Sequence, residues 1–200
     1  MITAKQQDAL RLLGADYPDH PMVKFCERPS EWYGEALHIA VGLDLHKSKP
    51  LCVLDIGCGF GYFIQACDDL GHAAGGIDLP DVVILAAASI LRAEVAPWKI
   101  EACVQLSKVF CRADLITTFG VNFRREDDTY WGVEEYVFFT RDVLEHLNPG
   151  GRWVLRPNRP CTWDVGKWVD QIEDFADVHI KGPQYIVRPK ESSDASHENH

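Results

Sequence analysis

The chain has 200 residues with 30 acidic against 20 basic side chains, a formal net charge of -10, and 46% apolar residues. That length and composition suit one α/β domain with a real core. The acidic balance argues against a duplex nucleic acid partner, because phosphate contacts need clustered Lys and Arg, and no apolar run is long enough to span a bilayer.

The N-terminus, "MITAKQQDALRLLGAD", is amphipathic and carries charges of both signs, which does not fit a secretory signal. "DALRLLG" and "PSEWYGEALHIAVGL" read as helices, with apolar residues at helical spacing. "LCVLDIG" reads as a short apolar strand. "YFIQACDDLG" follows as a helix that stops at Gly71, a glycine in a C-cap position. "AAGGIDL" is a second strand, and Pro80 is placed to open the next helix, "DVVILAAASILRAEV". "KIEACVQL" is the expected third strand and "DLITTFG", rich in β-branched residues, the fourth. "VEEYVFFTRDVLEHL" is a helix with Tyr136, Phe139, Val143 and Leu147 down one side, broken by "NPGG" before the strand "RWVLRP". A last helix, "TWDVGKWVDQIEDF", precedes the strands "ADVHI" and "QYIVRP" and a polar tail, "ESSDASHENH".

This alternation predicts an α/β fold: a doubly wound, Rossmann-like, mostly parallel seven-stranded sheet with helices on both faces. The final two strands are joined by a turn too short for a parallel crossover, so the sheet is expected to end in a C-terminal antiparallel hairpin. The expected organisation is a helical segment over residues 1–48, a ligand-binding domain over 49–190, and a disordered tail over 191–200. The seven cysteines form no CxxC pair and no zinc spacing. Reduced thiols and a cytoplasmic compartment are the expectation.

The stretch "VLDIGCGFGYF", residues 53–63, carries the strongest ligand signal. In such a sheet the ligand sits beyond the carboxyl ends of the strands. No GxxxxGK[ST] is present, which excludes a P-loop. Gly57, Gly59 and Gly61 give GxGxG, and Tyr62 stands where a dinucleotide fingerprint has its third glycine. Asp55, two residues before the first glycine, is poorly placed for a diphosphate and suits a cation. Asp78 closes the second strand about 20 residues on, where an acid accepts hydrogen bonds from ribose hydroxyls. A ligand with a ribose, a positive charge and no obligatory phosphate fits.

With these residues the chain resembles the class I S-adenosylmethionine-dependent methyltransferases. "VLDIGCGFG" looks like their first motif, "GIDL" their second, "DLITTFG" their fourth strand, and "LEHLNPGGRWVLRPN" their helix, turn and fifth strand. The resemblance covers roughly residues 50 to 188 and implies S-adenosylmethionine as the cofactor. It implies that Gly57, Gly59 and Gly61 let the backbone approach the methionine part and adenosine, and that Asp55 orients that loop. Asp78 then binds the ribose hydroxyls with Leu79 against the adenine. Gln105, in the segment 104–106, flanks the adenine, and Phe119 and Gly120 lie near the transferred methyl.

The acceptor is less legible. The [DNS]-P-P-[YFW] of base-methylating members is absent after the fourth strand, and Pro160–Cys161 lies after the fifth, not where cytosine-C5 enzymes hold their Pro-Cys. The acids of "RREDDTYW" read as a solvated loop rather than a metal site, and no catalytic residue or metal ligand is assigned. Trp32, Tyr33, Tyr130 and Trp131 flank the motifs and form a candidate aromatic wall for an acceptor, with core packing as the alternative. The leading expectation is methyl transfer to a small molecule. A protein or peptide acceptor, or a module that holds the cofactor without turnover, are the alternatives.

Overall fold

The computed structural model describes residues 1–106, 112–158 and 164–190. Seven strands form one sheet in the order β3-β2-β1-β4-β5-β7-β6. They are β1 (Cys52–Ile56), β2 (Ala73–Asp78), β3 (Glu94–Pro97), β4 (Ala113–Phe119), β5 (Leu147–Arg156), β6 (Ala176–Lys181) and β7 (Gln184–Pro189). The first five run parallel, while β7 is antiparallel to both β5 and β6. The mostly parallel sheet with a closing antiparallel hairpin is therefore present, with β7 inserted between β5 and β6.

Alternation along the strands sorts side chains to two covered faces. Val53, Leu115 and Val154 join the core under α1 (Ala4–Asp16), α2 (Lys24–Glu27), α3 (Pro29–Gly42), α4 (Tyr62–Asp69) and α5 (Val82–Leu91). Leu54, Ile116 and Trp153 join the opposite core, under α6 (Val133–Glu145) and α7 (Val165–Ile172). The N-terminal helices share their hydrophobic cluster with α4 and α5, through Leu10, Cys26, Tyr33, Phe63 and Ile84 among others. Tyr33 on α3 donates its hydroxyl to Asp69 at the end of α4, at 2.5 Å, and the same carboxylate pairs with the Met1 ammonium.

Two boundaries differ from the sequence expectation. The helix after β2 starts at Val82, capped by Asp81, whose Oδ1 accepts from the amides of Val83 and Ile84; Pro80 lies outside it. A side-chain oxygen that satisfies two open amides outweighs a proline whose contribution is a fixed φ. That helix ends at Leu91, and Arg92 takes the left-handed conformation, φ 62°. The third strand then follows at Glu94–Pro97, ahead of the predicted 99–106. The helix α6 ends earlier than expected, at Glu145 with His146 at its C-cap, and "NPGG" lies within β5, whose pairing with β4 begins at Leu147 and resumes at Arg152 across a bulge. The predicted tail and Pro160–Cys161 lie outside the described residues.

Candidate functional site

The strand order reverses between β1 and β4, so the loops leaving β1, β2 and β4 converge beside that switch point. The loop from β1 carries the three glycines, all at positive φ. At Gly57 a Cβ would meet Val121 Cγ2 at 2.2 Å, and at Gly61, φ 86°, it would meet Ala93 Cβ at 2.4 Å. The loop can therefore close only without side chains at these two positions. Gly59 differs: the Met22 methyl, at 3.5 Å, is the one atom a Cβ there would touch.

Asp78 fastens two loops together. Its Oδ2 accepts the Gly59 amide at 2.6 Å and its Oδ1 accepts the Leu79 amide at 2.7 Å. Burial raises its carboxyl above the usual range. Each oxygen keeps a further lone pair for a hydroxyl donor. Leu79, which follows Asp78, Val82 and Trp98 are exposed, to 51%, 61% and 37%. Trp98 follows β3 directly, and its amide donates to the Asp78 carbonyl at 2.7 Å.

Asp55 sits on the face of β1 that points into the core beneath α4. It is 4% exposed, and its Oδ1 accepts the Thr117 hydroxyl at 2.6 Å from the paired position on β4. Burial pushes its carboxyl up to about 7. Burial and the two acids also raise the neighbouring Cys58 thiol, so it stays protonated. A raised carboxyl means that the folded state binds a proton the unfolded chain has already released. Asp55 accordingly makes stability fall as pH rises from about 4 to about 7, by a few kcal/mol at most, and adds no slope above that. Asp55→Asn retains an acceptor for Thr117. Urea midpoints from pH 4 to 8 are expected to show the variant gaining on the wild type across that window. A constant difference across it would mean that Asp55 stays ionised throughout.

Phe119 ends β4 with its ring edge-on to Phe63 at 5.3 Å, and the Arg156 guanidinium lies 5.4 Å from its centroid. Gly120 follows at positive φ, its amide on the Arg156 carbonyl. Gln105 is exposed and stands well past the end of β3. Its neighbour Leu106 is tied to α6 through Asp142 Oδ2, at 2.6 Å. The residue directly after strand three is Trp98, not Gln105; the displaced strand moved the assignment.

The aromatic wall is also corrected. Tyr33 and Trp131 are core residues, exposed 6% and 2%. Trp131 stacks on Phe123 at 4.5 Å and stands edge-on to Tyr136 and Phe139. Its indole N–H finds no hydrogen-bond partner among the described residues. Trp32 is half-buried against Phe25 and donates to the Lys24 carbonyl. Tyr130 is the open member, under the Arg124 guanidinium. Met22 and Trp98, which sequence reasoning missed, border the site instead. Among the described residues no group of three or more His, Cys, Asp or Glu is placed to hold a metal ion, and no helix is long and apolar enough to cross a membrane.

No family model matches the chain, and no curated protein matches it. Solved structures do. A TehB-like SAM-dependent methyltransferase from Corynebacterium glutamicum matches at TM-score 0.56 and 19% identity, over 81% of this chain and 100% of that one. A ribosomal protein L11 methylase from Lactobacillus delbrueckii subsp. bulgaricus matches at TM-score 0.51 and 19% identity, over 81% and 79%. The mitomycin 7-O-methyltransferase MmcR matches at TM-score 0.59 and 17% identity, over 91% of this chain and 61% of that one. These likenesses show the fold: the chain is built as the S-adenosylmethionine-dependent methyltransferases are.

Proposed function

We propose that this protein binds S-adenosylmethionine at the carboxyl ends of β1, β2 and β4 and transfers its methyl group to a small molecule. The observation that carries the reading is Asp78. Its carboxylate joins the Gly59 amide to the end of β2, with lone pairs to spare, next to the exposed Leu79 and to Trp98, whose amide donates to the Asp78 carbonyl. A carboxylate next to an apolar platform matches a ribose joined to an aromatic base. In this reading Gly57, Gly59 and Gly61 give the cofactor's methionine end a close approach to the backbone, and Asp55 holds the loop from beneath. Phe119 lines the methyl side, and Trp98 takes the adenine-flanking role that the resemblance implied for Gln105.

The mechanism asks little of the chain. The sulfonium supplies a good leaving group, so the residues named here act by holding the cofactor and excluding water; alignment of the two reactants is worth up to roughly 7–11 kcal/mol. We assign no general base. Residues 1–48 form the acceptor side, and 49–190 hold the cofactor. Among the similar structures one is named for a ribosomal protein and another for mitomycin. The small acceptor is favoured here because the N-terminal helices pack into the core of the sheet rather than standing open as a docking surface, and because the net charge of -10 disfavours nucleic acid.

S-adenosylhomocysteine is expected to raise the melting temperature with ligand concentration, since a ligand of the native state stabilises it by mass action. NAD at the same concentrations should leave it unmoved. A shift with NAD alone would replace this reading with a nicotinamide one. Methyl-labelled cofactor incubated with a metabolite extract should deliver label to small molecules; label in protein fractions would favour a peptide acceptor, and none anywhere a binding module.

A further inference from the structure

Residues 17–23 form a strap between α1 and α2. On one side α1 is held to α5: Gln6 Nε2 donates to the carbonyls of Ile90 and Leu91. On the other side α2 is held to the start of α4: Tyr62 donates its hydroxyl to the Phe25 carbonyl at 2.8 Å, and the Phe25 ring stands edge-on to Phe60 at 5.9 Å. The strap between these anchors crosses the loops that carry the site. Met22 reaches over Gly59. His20 reaches the far lip, where its Nε2 contacts Asp81 Oδ2 at 3.0 Å.

The two imidazole nitrogens are both used. The Met22 amide donates to Nδ1 at 3.2 Å, so Nδ1 carries no proton and Nε2 is the donor to Asp81. Asp81 spends its other oxygen on capping α5. A single neutral imidazole therefore fixes the strap's own backbone and ties it to the loop that begins at Asp78. In the function proposed above, a nucleoside held by Asp78 and the Gly59 loop would sit beside Met22 and the His20–Asp81 contact.

We propose that the strap of residues 17–23 is the cover of the cofactor cleft, and that His20 is the positioning residue that latches it to Asp81 and so sets how fast the cofactor product leaves. The inference rests on the function proposed above. The bond is between a neutral donor and a carboxylate, the stronger kind of hydrogen bond.

The test is release of labelled S-adenosylhomocysteine from wild type, His20→Ala, Asp81→Asn and the double variant, with the melting temperature of each unliganded protein. Asn at 81 still caps α5, but its amide N–H2 faces the His20 N–H, donor against donor. Each single variant is expected to release ligand about tenfold faster, the loss of one such bond, with unliganded melting close to wild type for His20→Ala. The double variant should release no faster than either single one, because both remove the same contact. Unchanged release in the single variants, or additive increases in the double, would overturn the latch. A wild type that binds no S-adenosylhomocysteine would instead remove the proposed function, and the cover with it.

Discussion

Gly61→Val is expected to destabilise the fold by about 3–5 kcal/mol, the sum of left-handed strain on a branched side chain and a core overlap. The backbone at Gly61 is at φ 86°, and an added Cβ would stand 2.4 Å from Ala93 Cβ. That neighbour is fixed to the backbone between α5 and β3, so it cannot swing aside. For a chain of this length the melting temperature should fall by roughly ten degrees or more. The control lies two residues away. Gly59→Val meets only the flexible end of Met22 at 3.5 Å, and costs roughly the 1–2 kcal/mol of left-handed strain. It should fold and fail to bind S-adenosylhomocysteine, because its side chain stands where the ligand must approach. The pair separates two jobs in one loop: Gly61 lets α4 pack against the β3 side, and Gly59 faces the ligand. Urea unfolding of both variants, with cofactor titration, measures this. A Gly61→Val protein that unfolds with the wild type would mean that the Ala93 segment yields freely.

Where the chain states a backbone requirement locally, the sequence was legible. Strands β1, β2 and β4 are short apolar runs ended by Gly57, Asp78 and Gly120, and β6 and β7 flank a Gly-Pro turn. The glycines of the loop and the two acids were found because close approach and lone acids in apolar runs leave a local mark. The third strand left none. "VVILAAASIL" is apolar all round, so no period marks where the helix stops, and its C-terminal left-handed residue is Arg92, not the glycine that usually signals one. The strand itself is four residues at the sheet edge and mostly exposed, so it shows no alternation. Gln105 was placed beside a strand read at 99–106, and Trp98 was passed over, for that one reason.

The aromatics failed differently. Residue type does not say which face a ring takes. Arg124 and Tyr130 form a bridge in the loop after β4, so alternation turns Tyr130 out and Trp131 in. The strap was beyond reach altogether: His20 and Asp81 are 61 residues apart, and no local pattern couples them.

Asp78→Ala is expected to weaken S-adenosylhomocysteine binding by roughly 3–6 kcal/mol, or about 10²–10⁴-fold, if the carboxylate holds two ribose hydroxyls at about 1.5–3 kcal/mol each. Unlike a surface acid, it also supports the empty site. Removing it strips the acceptor from the Gly59 and Leu79 amides. Leu79 is exposed and its amide can turn to water, so the stability cost should be close to that of one unsatisfied group, about 1–3 kcal/mol. Asp78→Asn is no rescue, because an amide offers one acceptor where two N–H donors converge, and its own N–H2 faces the second. Burial raises the Asp78 carboxyl, so protonation begins above the ordinary carboxylate range as pH falls. Wild-type affinity should therefore drop on acidification earlier than an exposed acid would dictate, and the Asn variant should lack that step. Calorimetric titration of wild type and both variants from neutral pH downward decides the point. A folded Asp78→Ala protein that binds at wild-type affinity would reduce Asp78 to a fastener between two loops, and the ribose would need another acceptor.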